Sequence, residues 1–128
     1  MRNFTFRANI HARGTIKFRN LVIDESDQFD EFYEQLEEFD KSLFYSLATY
    51  ITLLSEGNKL PKTKCRKLKG LEKCFELKKN HLRMYYTLID GQGYVICFGS
   101  TKNEQKKDIK KLERLRKEII DQLKNQDS

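Results

Sequence analysis

Apolar and polar positions change period three times along this chain. Phe4, Phe6, Ala8 and Ile10 alternate with polar residues, and Ile16 and Phe18 resume the alternation after Ala12-Arg13-Gly14-Thr15. A period of two puts alternate side chains on one face of a strand, so the opening predicts one strand or a hairpin. The spacing then becomes helical. Ser26 or Asp27 can cap a helix whose stripe is Phe29, Phe32, Tyr33, Leu36 and Phe39, with acids in its first turns, where the helix dipole favours them. Asp40 can cap a second helix that turns Leu43, Phe44, Leu47, Tyr50, Ile51 and Leu54 inward and stops at Gly57-Asn58.

Beyond Pro61 the period returns to two. Phe75 and Leu77 alternate with Cys74, Glu76 and Lys78; Leu82, Met84, Tyr86 and Leu88 alternate with Arg83, Tyr85 and Thr87. Asn80-His81 and Asp90-Gly91-Gln92-Gly93 are turn sequences, and Tyr94 to Phe98 completes a three-stranded meander. A last helix runs to about Leu123, with Ile109, Leu112, Leu115, Ile119, Ile120 and Leu123 as its buried stripe. The expected fold is α+β: an antiparallel sheet, made of the N-terminal strand or hairpin and the meander, covered on one face by helices. The opposite face should then be polar and basic, with Glu76, Lys78, Arg83 and Tyr85 grouped on it.

Length and composition add limits. The 128 residues suit a single domain, with 1–23 as strand or hairpin, 24–57 as helical hairpin, 58–99 as sheet and 100–124 as final helix. Nine Phe and six Tyr supply a core despite 34% charged residues. The longest apolar runs fall well short of the roughly 18 to 20 residues a spanning helix needs, so no membrane segment is expected. No apolar stretch follows the N-terminal residues as in an export signal, and Cys65, Cys74 and Cys97 lack paired spacing. A cytoplasmic protein with reduced thiols is the expectation. Two His and three Cys are scattered without ligand spacing, and Gly91-Gln92-Gly93 has no helix after it, so neither a metal nor another cofactor is expected.

The net charge of +6 hides strong segregation. Residues 1–23 carry five bases and no acid; 24–56 carry ten acids and only Lys41; 57–83 carry ten bases and two acids. Charge blocks are commonly solvated faces. The last block falls on strands and their approach loop, where a sheet face can present it to a polyanion. Lys62, Lys64, Arg66, Lys67, Lys69, Lys73 and Lys79 would track phosphates there with salt-sensitive affinity.

Four segments in order, Lys67-Leu68-Lys69-Gly70-Leu71, Cys74-Phe75-Glu76-Leu77-Lys78, Leu82-Arg83-Met84-Tyr85-Tyr86 and Val95-Ile96-Cys97-Phe98-Gly99, resemble the RelE/ParE superfamily of toxins from toxin-antitoxin pairs. They are most similar to its HigB-like group. The resemblance covers about Asp24 to Ile120. It implies a small RelE-like sandwich and a metal-independent endoribonuclease that cuts messenger RNA, with the ribosome and a cognate antitoxin as partners, as a homodimer or a toxin-antitoxin hetero-oligomer. It leaves open a non-catalytic ParE-like inhibitor, or a degenerate module that only binds RNA or a partner. A basic ribosome- or RNA-associated domain without an antitoxin is a third reading.

Cleavage by the ribose 2′-OH needs a base, cations for the phosphorane and an acid for the leaving 5′-oxygen. By the resemblance Glu76 is the base, Arg83 stabilises the transition-state phosphate and Lys78 positions it. A strand carboxylate paired with Lys78 or Arg83 is the plain alternative for Glu76. Where the HigB-like pattern has Lys-Lys after the last strand, this chain reads Phe98-Gly99-Ser100-Thr101-Lys102. Lys102 would replace the missing cations, and Ser100 and Thr101, at a helix N-terminus, would hold a phosphate oxygen. Lys67, Lys69 and Lys79 complete the RNA surface, and Tyr85 either stacks on a base or packs in the sheet. His81 or Tyr85 is the available acid.

Overall fold

Asp27 opens the helical hairpin, as its side chain permits. In the computed structural model, which describes residues 2–101 and 104–126, its carboxylate accepts from the backbone N–H groups of Phe29 and Asp30. Helix α1 spans Gln28–Gln35 and α2 spans Glu38–Ser55. Because α1 stops at Gln35, its stripe does not carry through: Phe39 falls on α2 and is 79% exposed. Glu37, not Asp40, occupies the cap of α2. Asp40 sits in the first turn instead, where its Oδ1 lies 2.9 Å from His81 Nε2. Gly57, at φ +89°, takes the left-handed turn just past the end of α2.

The strands are β1 (Phe4–Ala8), β2 (Phe18–Ile23), β3 (Ser26–Asp27), β4 (Cys65–Lys67), β5 (Cys74–Lys79), β6 (Leu82–Ile89) and β7 (Gly93–Ser100). They form one seven-stranded sheet in the order β1-β2-β7-β6-β5-β4, with β3 paired to β2. All pairs are antiparallel except β2 with β7. The opening is therefore a hairpin, and β4 is an added edge strand that no alternation in the sequence announces. The register sets Lys78 opposite Arg83 and Glu76 opposite Tyr85, so the expected grouping on one face holds.

Helices cover both faces, however. On one side α1 and α2 pack Phe29, Phe32, Phe44, Leu47 and Ile51 onto Leu77, Met84, Tyr86 and Ile96. On the other, helix α3 (Gln105–Gln126) lays Leu112, Leu115 and Ile119 onto Leu21, Tyr85, Ile89, Val95 and Cys97. The polar, basic second face is thus corrected to a second apolar layer. The cause is visible in β6 and β7: Tyr85 and Ile89 point the opposite way from Met84 and Tyr86, and β7 is apolar at consecutive positions, as a strand buried on both sides must be. A bulge reinforces this. Tyr85 lies opposite Phe98 but Tyr86 opposite Ile96, so Cys97 is the extra residue, and both Cys97 and Phe98 join the layer under α3. No described helix is long and apolar enough to cross a membrane.

Candidate nucleic-acid interface

Where α3 begins, it leaves one corner of its sheet face uncovered. A cleft of about 1020 Å³ opens there, between β4 with its approach loop, β5, β6 and the first turns of α3. Lys62, Arg66, Lys67, Lys69, Lys78 and Arg83 line it, and Glu76 is its one acid among the described residues; Gln105 and Ile109 of α3 form the far wall. Strand alternation explains the assembly. Glu76 and Lys78 share a face of β5, Arg83 reaches the same face from β6, and Arg66 stands directly opposite Glu76 on β4.

Glu76 forms the floor. Its side chain is 2% exposed, and Oε1 accepts from Arg66 Nε at 2.9 Å. Oε2 lies 4.0 Å from Arg83 Nε and has no hydrogen-bond partner among the described residues. Arg83 donates from Nη1 to the backbone carbonyls of Asn80 and Leu82, at 2.6 and 2.9 Å, which fixes its guanidinium against the β5–β6 turn. A carboxylate this enclosed is not openly presented to a ribose hydroxyl in this arrangement. The ion-pair alternative matches the geometry, with Arg66 as the nearer partner.

Tyr85 is fully buried beneath α3, and its hydroxyl donates to Asp108 Oδ2 at 3.3 Å. Burial, then the nearby carboxylates of Glu76 and Asp108, push its pKa up. It neither stacks on a base nor readily releases a proton; of the two expectations, sheet packing is the one realised. His81 lies outside the cleft, against α2. Lys79 is opposite Leu82, on the side of the α1–α2 core, and does not line the cleft.

Ser100 ends β7, and α3 starts only at Gln105, so Ser100 and Thr101 are not the helix N-terminus. They line a smaller groove of about 370 Å³ with Lys107, Lys111 and Arg114. Lys102 lies outside the described residues. Of the remaining expected site residues, Glu76, Lys78, Arg83, Lys67 and Lys69 come together in one cleft. Sequence reasoning missed Asp108, whose signal was a carboxylate at helical spacing with Leu112 and Leu115. Burial pushes the thiols of Cys65, Cys74 and Cys97 up, which disfavours the nucleophilic thiolate.

Comparisons of the chain with protein-family models, curated proteins and solved structures found no match. The chemistry of the cleft therefore has to be read from its own residues. Among the described residues six cations converge on a concave surface with one buried counter-charge, so the cleft carries a strong net positive field at the scale of a few phosphates. Arginine donors suit phosphate oxygens in pairs, while lysines act as mobile point charges along a backbone.

Proposed function

We propose that the chain binds RNA in this cleft and is the toxin of a RelE/ParE-like toxin-antitoxin pair, a metal-independent endoribonuclease acting on messenger RNA at the ribosome. The observation that carries the reading is the convergence of Lys67, Lys69, Lys78 and Arg83, drawn from three strands and the loop between β4 and β5, on a single cleft. In this reading Arg83 offers an Nη2 group, unengaged by other described residues, to the phosphate as charge builds on it, and Lys78 holds the neighbouring backbone. A cognate antitoxin would silence the protein by covering the cleft with an acidic segment, and self-association or a toxin-antitoxin hetero-oligomer belongs to the same proposal.

The burial of Glu76 favours a second reading, RNA binding without cleavage on the same cleft. Cleavage with Glu76 as base requires Oε2 to become open to a ribose hydroxyl; binding requires no such change. Messenger RNA on programmed ribosomes, and the same RNA free in solution, separate the two when incubated with the protein and with Arg83→Ala. Cleavage lost in the variant supports the first reading. RNA bound through the cleft but left intact supports the second, and no binding at all overturns both. A DNA gyrase assay beside these tests the ParE-like inhibitor.

A further inference from the structure

Glu76 is costly where it stands. Taking a carboxylate out of water needs close cationic partners to repay the lost hydration, and an oxygen left without a hydrogen bond adds to the cost. Here the partners come from both neighbouring strands: Arg66 from β4 on Oε1 and Arg83 from β6 nearest to Oε2. Each spends only part of its donor set. Arg66 uses Nε alone, so both its Nη groups are unengaged by other described residues, and its side chain is 45% exposed in the cleft. Arg83 uses Nη1 and keeps Nη2.

We infer that Arg66 and Arg83 form a two-guanidinium subsite for one phosphodiester of a bound RNA strand, with Glu76 as the positioning residue that holds them side by side. The inference rests on the reading of the cleft as an RNA site and assigns Arg66, on a three-residue edge strand, a contact that its sequence position does not single out. A phosphodiester carries two non-bridging oxygens, which two forked donors can each engage. Two guanidinium groups brought together repel, and a long arginine on an edge strand is expensive to order on binding. The carboxylate between them answers both problems, since its charge offsets the repulsion and its bond to Nε fixes the Arg66 head before the ligand arrives.

The test uses the whole chain, with inorganic phosphate and a labelled single-stranded RNA as probes. Arginine Nε–H resonances are followed by NMR during phosphate titration, and RNA affinity is measured by fluorescence anisotropy over a salt series. Phosphate should shift Arg66 and Arg83 with one midpoint. Arg66→Ala should weaken RNA binding about tenfold and lower the salt slope by about 0.7, one phosphate contact on a single strand. Arg66→Lys should restore the slope but not the affinity. Glu76→Gln gives the sharpest sign: removing a negative charge from a cationic cleft should tighten RNA binding by electrostatics alone, whereas loss of a positioning residue weakens it. Tighter binding by Glu76→Gln, or Arg66→Ala binding RNA with unchanged affinity and slope, overturns the subsite while leaving the RNA reading intact. Joint titration of both arginines in a protein that ignores RNA keeps the subsite and discards that reading. Arg66→Lys keeps a cation beside the buried Glu76, so wild-type RNA affinity in that variant overturns the two-guanidinium subsite even where Arg66→Ala or Glu76→Gln fails to fold.

Discussion

The Tyr85 hydroxyl donates to Asp108 Oδ2 across 3.3 Å, in the layer between the sheet and the first turn of α3. This bond joins the last helix to the strand that also carries Arg83, beside the cleft and not in its lining. It also decides between the two roles open to Tyr85. Tyr85→Phe should destabilise the fold by about 1–3 kcal/mol by stranding a mostly buried carboxylate, and should leave RNA affinity unchanged. Urea unfolding and an RNA titration on the same variant check both halves.

Salt dependence should map the cleft. Lys67→Ala and Lys69→Ala should each lower the slope of log affinity against log salt by about 0.7 for single-stranded RNA. Lys79→Ala should leave it unchanged, because Lys79 is opposite Leu82 on the side of the α1–α2 core. Equal effects from all three lysines would mean that RNA is held by a diffuse surface field instead of the cleft.

Gly99 is tied to Phe32. A Cβ at Gly99 would overlap the Phe32 ring, which packs directly on the β7 backbone. Gly99→Ala should cost about 1–3 kcal/mol as the ring or strand is displaced, read as a lower midpoint in chemical unfolding. A fully stable variant would show that α1 is seated less closely on β7 than described.

Stability should fall with acid through His11. Its ring packs against Phe29 at 5.8 Å, and burial, then the Arg13 cation, lowers its pKa from the usual 6.5. The unfolded chain therefore takes up this proton at a higher pH than the folded one. The stability is intact above the unfolded value and is lost as pH falls through it toward the folded value. Melting curves at about pH 7.5 and about pH 5 should show a larger drop for the wild type than for His11→Gln.

Much of the fold was legible because local patterns and tertiary burial agree. The caps, the helical stripes and the alternation in β5 and β6 each reflect which side of one element meets apolar atoms, and Asp27, Leu47 and Met84 stand where those patterns put them. β4 was not legible. Cys65-Arg66-Lys67 has no apolar alternation to announce a strand, and only the backbone of β5 beside it turns this basic run into an edge. Phe39 misled for the opposite reason, since a stripe read through a helix break places a residue on a face the second helix does not share.

By itself the sequence determined the α+β order of elements, the register-compatible grouping of Glu76, Lys78 and Arg83, and the concentration of bases between residues 57 and 83. These follow from periodicity and charge, which are properties of neighbours along the chain. The tertiary structure alone decided that α3 covers the second face, that Tyr85 is buried, and that Arg66 meets Glu76. Alternation names two faces of a strand but not what packs on each, and an ion pair across β4 and β5 exists only once a distant stretch of backbone has supplied the partner.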